Sequence, residues 1–453
     1  MLVARRLFAG RFIGQLISKP GAVIGLLVML FVSIFNPFGL RDSSQQSTEN
    51  WVLRMLAPFY ASSGQSEIVV LLIDDQSLAD MQMSWPMRYS DQARLLRQLL
   101  NYQPKSVFVD VLFTQRRLEG GSTAALQRVL QSAAEQGVPM ILADYRDDEG
   151  RSQILTELGS VTETAQVNWS GFGERYPLVL RSAAGETRSP ALQMYQGRCA
   201  QAGCELTPFE EPLLVRWGYW VDAAMGRFVS LAGCGIRGER SNVRQALNML
   251  LTDGLRSQRD ADEVERPQPC PYAQTLYASQ LRDPQVSALL QGRHVFVGAH
   301  IRGIPDLVTS PVHGQLPGVY WHAMALDNLL TQGSDYWRSA PEVLPGMSIT
   351  DLLEMSLLLI AGLLALWIPA QPIKGRGWRL ALFTHYGFWF IALSGSAIVA
   401  SIFLARWWHI APLDWLGLIL MIGLFFAYLG EPRLSAWWDR KASTWNTREI
   451  QDV

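Results

Sequence analysis

Four long apolar stretches divide the chain unevenly, one at Gly21–Leu40 and three near Ile349–Ile368, Leu380–Leu404 and Pro412–Leu429. Each approaches the ~20 apolar residues that a bilayer core requires, so the pattern predicts four membrane-crossing helices, one N-terminal and three C-terminal. The block between, 41–346, has a different periodicity. Ile68–Ile73 (IVVLLI), Ser106–Val111 (SVFVDV), Met140–Ala143 and His294–Gly298 (HVFVG) are short continuous apolar runs rich in β-branched residues, as expected of strands buried on both faces. Between them, Tyr89–Leu100 places Ala93, Leu96, Leu99 and Leu100 on one helical face behind a candidate cap at Ser90. Ser122–Gln136 reads as a second helix with Gly137 just past its end. Strand–helix alternation at this spacing predicts right-handed crossovers and an α/β domain, mainly a parallel sheet flanked by helices. From 146 to 290 the pattern weakens to a strand at Leu213–Trp217, a short helix at Val243–Leu251 and a loop at Ser257–Tyr272. A late helix, Val319–Leu330, stops at Gly333.

Lys and Arg orient this arrangement. Arg5, Arg6, Arg11 and Lys19 precede the first stretch, Lys374, Arg376 and Arg379 lie between the second and third, and Arg433, Arg440, Lys441 and Arg448 follow the fourth. With four crossings these sets share one side, which the positive-inside rule makes cytoplasmic. The expected order is a cytoplasmic N-terminus (1–20), the first helix (21–40), an extracytoplasmic domain (41–346), three helices (347–430) and a cytoplasmic tail (431–453). The exit Phe38-Gly39-Leu40-Arg41 lacks a small-x-small site, so the first stretch reads as an uncleaved anchor. In the third stretch, Gly387 and Ser394-Gly395-Ser396-Ala397 would permit close helix packing, within the chain or between copies in a homo-oligomer.

Composition fits the division. At 49% hydrophobic and 17% charged, the chain is too apolar for a purely soluble protein and too charged for a polytopic transporter. A net charge of −1 gives no footprint for nucleic acid. All four cysteines, Cys199, Cys204, Cys234 and Cys270, fall in the block assigned outside the cytoplasm, where disulfides persist. Three pairings are possible; Cys199–Cys204 with Cys234–Cys270 is the favoured one, and the competing zinc site lacks a Cys-x-x-Cys.

The motif series resembles a known family. Ile73-Asp74-Asp75-Gln76-Ser77-Leu78, Trp85-Pro86-Met87-Arg88 and Val109-Asp110-Val111-Leu112-Phe113 are similar to the opening of the CHASE2 extracytoplasmic sensor domain. Val297-Gly298-Ala299, Asp306, Ser310-Pro311, Pro317–Ala323 and Asp327-Asn328-Leu329-Leu330 resemble its close. The likeness spans roughly 45–335 and implies one anchor before the domain and three helices after it. It also implies a sensor feeding a cyclase, kinase or similar module. None follows the last apolar stretch here, so output is expected through a separate membrane or cytoplasmic effector.

Asp74, Asp75, Asp110 and Asp144 all end predicted strands, where ligands of open parallel sheets collect. Capping helices and pairing with Arg88 or Arg302 is the favoured reading of the set. Asp74 and Asp110 are retained as ligand contacts, with Arg88 and His322 as further candidates and Arg88–Asp306 as a candidate structural ion pair. No Walker loop, HExxH or Gly-x-Ser-x-Gly is present, so no catalytic residue, metal or cofactor is expected; an exported hydrolase using a metal at the Asp74/Asp110 edge is the remote alternative. The resulting expectation is a multi-pass protein of a bacterial inner membrane, in contact with lipid. Its domain would sense an unknown ligand in the periplasm, with both termini cytoplasmic. The alternative is a non-catalytic scaffold or assembly subunit of an envelope complex.

Overall fold

The apolar runs read as strands pair in register in a computed structural model of the chain, which describes residues 19–61, 63–116, 122–169, 175–202, 209–238, 240–256, 270, 272–304, 306–344, 347–368 and 385–430. Two compact units form, Met1–Asn50 with Ala340–Val453, and Trp51–Ser339.

In chain order, α1 (Pro20–Phe35) ends where Asn36 takes a left-handed φ of 44° ahead of Pro37. Asn tolerates that conformation and Pro brings no N–H to continue the helix. α2 (Leu40–Leu56) follows, and the chain bends by 84° between Pro20–Phe35 and Pro37–Phe59. The first apolar helix therefore stops at Phe35, short of the expected Leu40.

The α/β unit is built on β1 (Ile68–Asp74), α3 (Asp75–Asp80), α4 (Tyr89–Leu100), β2 (Ser106–Val109), α5 (Ala124–Glu135), β3 (Met140–Asp144) and β4 (Glu163–Gln166). A hairpin of β5 (Val179–Ser182) and β6 (Gly185–Arg188) comes next, then α6 (Pro190–Ala202), α7 (Asn242–Arg256), β7 (Gln274–Tyr277) and β8 (His294–His300). A second hairpin, β9 (Leu307–Ser310) and β10 (Gly314–Pro317), leads into α8 (Val319–Gln332). Six strands make one wholly parallel sheet in the order β4-β3-β2-β8-β1-β7.

Alternation along β1 explains why its sequence is apolar throughout. Val69, Leu71 and Ile73 face a core shared with α4 and α5, and Ile68, Val70 and Leu72 face a second core shared with α6 and α8. Side chains of successive residues leave opposite faces of a strand, and here both faces are covered. Arg88, not Ser90, occupies the cap position of α4. Leu213–Trp217 does not form the expected strand. Leu213 bridges Tyr176 and Arg338, Leu214 donates to the Trp337 carbonyl, and both backbone groups of Arg216 are taken by the side-chain amide of Asn328. An apolar extended segment has here been paired residue by residue with different partners.

The helical unit continues through α9 (Ile349–Trp367), α10 (Tyr386–Phe403) and α11 (Trp415–Gly430). Two helices, Ile349–Trp367 and Tyr386–Trp408, are long and apolar enough to cross a membrane, three if the bent N-terminal pair is one span. Trp415–Leu429 is apolar but shorter, so the described residues give two to three candidate spans where four were expected. Residues 369–384 and the tail 431–453 lie outside the described residues.

Close packing is found at further glycines of the helical unit. A Cβ added at Gly395 would meet nothing within 4 Å, whereas one at Gly25 would lie 2.7 Å from the Phe425 ring and one at Gly362 2.6 Å from Leu26. Gly21, one turn before Gly25, faces Tyr428. Small residues that let helices approach are thus found on α1 and α9, besides the fully buried Ala397 of α10. Gly25→Leu is expected to cost about 1–3 kcal/mol through overpacking, read as a lower melting temperature of the detergent-solubilised protein.

Candidate functional site

Parallel pairing brings the carboxyl ends of the strands to one edge. Asp74 on β1 is level with His300 on β8, Leu72 with Tyr277 on β7, and Val109 of β2 with Val297 of β8. β8 lies between β1 and β2, while β7 is placed on the far side of β1, so the chain order reverses around this edge. Such a reversal is where open α/β sheets leave a crevice for ligands.

A cavity of about 450 Å³ occupies the β1–β7–β8 part of the edge. Thr275 and Tyr320 are in its floor, joined by a 2.8 Å hydrogen bond, with Leu316 and Val229 beside them. Burial drives the Tyr320 hydroxyl well above its ordinary range, and the Tyr277 hydroxyl is raised by burial and by the charge of Asp74. The rim carries Asp74, Asp75, His300 and Arg302. One oxygen of Asp74 accepts the Ser77 N–H at 2.8 Å and so caps α3. Asp75 accepts from the backbone N–H of Arg302 at 3.1 Å and from its Nε at 3.2 Å, which holds its carboxyl below the usual range. Arg302 is itself 93% exposed, so this pair contributes little to stability. The cavity therefore sets the Thr275–Tyr320 hydroxyl pair and apolar side chains below a charged rim, a form suited to a small polar molecule.

Asp110 stands apart from that cavity. It follows β2, its N–H donates to the Val297 carbonyl at 2.7 Å, and its side chain is 14% exposed. Among the described residues its carboxyl accepts no hydrogen bond. Burial, reinforced by the nearby charge of Asp306, pushes it up to about 8. Across from it, Oδ2 is 4.0 Å from His322 Nε2 on α8, too long for a hydrogen bond.

His322 is 4% exposed and boxed by the rings of Phe108, Trp169 and Tyr176. Its Nδ1 is 2.8 Å from the Tyr176 hydroxyl, whose oxygen accepts the Ala191 N–H at 3.3 Å. Either ring tautomer satisfies this bond, and Nε2 is the ring nitrogen on the Asp110 side. Burial holds the ring neutral, lowering it to about 3. A row of polar groups thus runs from the interior to the sheet edge.

The remaining candidates are structural. Asp144 is fully buried, paired with Arg146 at 3.1 Å and accepting from Ser152 at 2.6 Å. Arg88 and Asp306 do not form the expected ion pair. Arg88 is exposed at the start of α4, while the Asp306 carboxylate packs against Gly318, where an added Cβ would meet its Oδ1 at 2.4 Å. Cys234 and Cys270 are disulfide-bonded with Cα atoms 5.4 Å apart. Cys199 is also disulfide-bonded, and Cys204 lies outside the described residues. Among the described residues no group of three or more His, Cys, Asp or Glu could hold a metal ion.

The sequence did not single out Tyr176, Tyr277, His300 or Tyr320. Tyr320 and His322 sit two residues apart in one motif, which was the available signal; Tyr176 lies in the weakly patterned stretch and offered none.

The fold defines a class: an α/β domain with a parallel sheet flanked by helices, carried in one chain with apolar helices. The CHASE2 domain profile matches residues 23–366, from within α1 to the end of α9. The chain belongs to the CHASE2 family, whose domain is extracytoplasmic, sensory and non-catalytic. Comparison with curated proteins and with solved structures gives no match.

Proposed function

We propose that this protein is a receptor of a bacterial inner membrane, its α/β unit in the periplasm and both termini cytoplasmic. The unit binds a small polar ligand in the β1–β7–β8 cavity, and the bound state is passed to a separate effector protein. The observation that carries this reading is the convergence of Asp74, Tyr277, His300 and Arg302 above the Thr275–Tyr320 hydroxyl pair at the carboxyl edge. All four apolar stretches cross in this arrangement, which keeps the three groups of Lys and Arg on one side.

The test is a thermal-shift screen of the full-length protein in detergent against amino acids, sugars and small dicarboxylates. At a hundredfold excess over Kd a true ligand stabilises by about 2.7 kcal/mol. Asp74→Asn keeps an N-cap of comparable quality, so its fold should change by less than about 1 kcal/mol while affinity for a ligand held by the carboxylate falls at least tenfold. No shift with any class, or equal shifts in both proteins, would remove the cavity from the proposal.

A second reading, an assembly subunit, draws on the exposed apolar side chains Val243 and Leu247 of α7 at 60% and 55%, with Phe59 at 47% in the segment that α7 contacts. A stoichiometric complex surviving purification in mild detergent would favour that reading over a free receptor.

A further inference from the structure

The floor of the β1–β7–β8 cavity holds a hydrogen-bond chain with a direction. Thr275 Oγ1 donates to the Ala273 carbonyl at 3.0 Å and lies 2.8 Å from the Tyr320 hydroxyl. A threonine hydroxyl has one proton, and the carbonyl takes it, so the second bond is donated by Tyr320. Tyr320 is 2% exposed, and its oxygen is left in the cavity lining with acceptor lone pairs and no proton to offer. From this polarity and the carboxylate above it, we infer that the cavity takes a small primary amine, its ammonium group held by Asp74 and the Tyr320 oxygen.

Asp74 supplies the charge. Its Oδ1 is used by the Ser77 N–H, while Oδ2 meets no donor and no cation among the described residues. The other rim carboxylate, Asp75, is already taken by the backbone N–H and Nε of Arg302. The rim thus keeps one acid without a cation partner. Asp74 is half-buried, and its charge helps to raise the Tyr277 hydroxyl in the same lining. A ligand that displaces water from such a carboxylate must bring donors and a counter-charge in its place.

An ammonium group meets both needs, with three donors and one positive charge. A hydroxyl brings one donor and no charge, and a carboxylate brings no donor and is repelled by Asp74. Leu72, Val229 and Leu316 offer the amine's carbon chain an apolar wall. The choice of ligand class rests on the cavity being the binding site, as proposed above, and narrows it to compounds that carry an ammonium. Amino acids and amines without a carboxylate share that group, and titration with both separates them.

Isothermal titration of the full-length protein in detergent at pH 7.5 tests it with matched sets. These are the standard L-amino acids, the 2-hydroxy acids that carry a hydroxyl in place of the ammonium, and the amines left when the carboxylate is removed. The expected result is that an ammonium compound binds, about tenfold or more tightly than its 2-hydroxy acid. Tighter binding of the amino acid than of its amine names amino acids as the class, and the reverse names simple amines. Asp74→Asn should weaken that compound by about tenfold or more. Thr275→Val leaves the Tyr320 proton free to point into the cavity, and should narrow the margin over the 2-hydroxy acid. A 2-hydroxy acid, sugar or dicarboxylate that binds where no ammonium compound does overturns the proposal and leaves the cavity as a ligand site. No binding by any class removes both. Full affinity for the ammonium compound in Asp74→Asn places that group elsewhere and also overturns it. Should Asp74→Asn fail to remain monodisperse, Thr275→Val decides alone: an unchanged margin refutes the Tyr320 acceptor.

Discussion

Asp110→Asn is expected to stabilise the protein, by on the order of 3 kcal/mol at pH 7.5. The carboxyl titrates near 8 in the folded chain and near 3.9 when unfolded. A carboxyl so raised contributes stability that is complete below pH 4 and is lost as pH rises through 8, because the unfolded chain gives up the proton first. An amide cannot ionise and removes that loss. His322, lowered to about 3, acts in the opposite sense: its contribution is complete above pH 6.5 and is lost as pH falls toward 3. The buried His294 and the half-buried His313 behave alike, lowered to about 3 and 4. The gain from Asp110→Asn should therefore grow from pH 5 to pH 8.5 while the acid limb stays unchanged. Thermal melts of both proteins in detergent across that range would show it, as a difference of roughly 5–10 °C at the alkaline end. A gain independent of pH would mean that Asp110 is already ionised and solvated. A residue that weakens the fold is a candidate for function on physical grounds, and its place beside the Tyr176–His322 pair makes it the second candidate contact after Asp74.

The strands that could be read were those covered on both faces. β1, β2, β3 and β8 are interior to the sheet and need apolar residues at every position, which makes runs such as IVVLLI unmistakable. The edge strands β4 (ETAQ) and β7 (QTLY) each have one neighbour in the sheet and only four residues, too short and too polar for a period to register. Leu213–Trp217 shows the converse. Burial made it apolar and extended, but its partners come from separate parts of the chain, one of them a side chain.

The candidate site was legible in its parts and not in its assembly. Strand-end aspartates could be placed on one edge, since that follows from parallel pairing. Which of them kept a free carboxyl depended on residues far along the chain: Arg302 took Asp75, Arg146 and Ser152 took Asp144, and Asp110 was left facing His322. Charge alone suggested Arg88–Asp306, and charge carries no information about separation. In the helical unit the Asn36-Pro37 break was present in the sequence, but the length of the apolar run concealed it.

Asn328→Leu should be the most damaging change of similar size in the α/β unit, at about 3–5 kcal/mol. Asn328 is fully buried on α8, directly after Asp327, whose carboxylate accepts the Tyr60 hydroxyl at 2.8 Å. Its amide oxygen accepts the Arg216 N–H at 3.0 Å, and its NH2 donates to the carbonyls of Arg216 and Met324, both at 2.8 Å. One side chain thus stands in for the neighbouring strand that Arg216 lacks. Leucine fills similar space but leaves both backbone groups of Arg216 without a partner in a dry setting, at about 1–3 kcal/mol each. Asn328→Asp separates this account from one based on volume. It retains the acceptor for the Arg216 N–H while turning two donors into acceptors that face carbonyls. At neutral pH it should be at least as harmful as leucine, and as the pH falls through the carboxyl's protonation it should recover part of the loss by regaining one donor. Urea denaturation at pH 5 and pH 7.5 measures both. If aspartate were tolerated at pH 7.5, the amide would not be the group that holds the Arg216 segment in place.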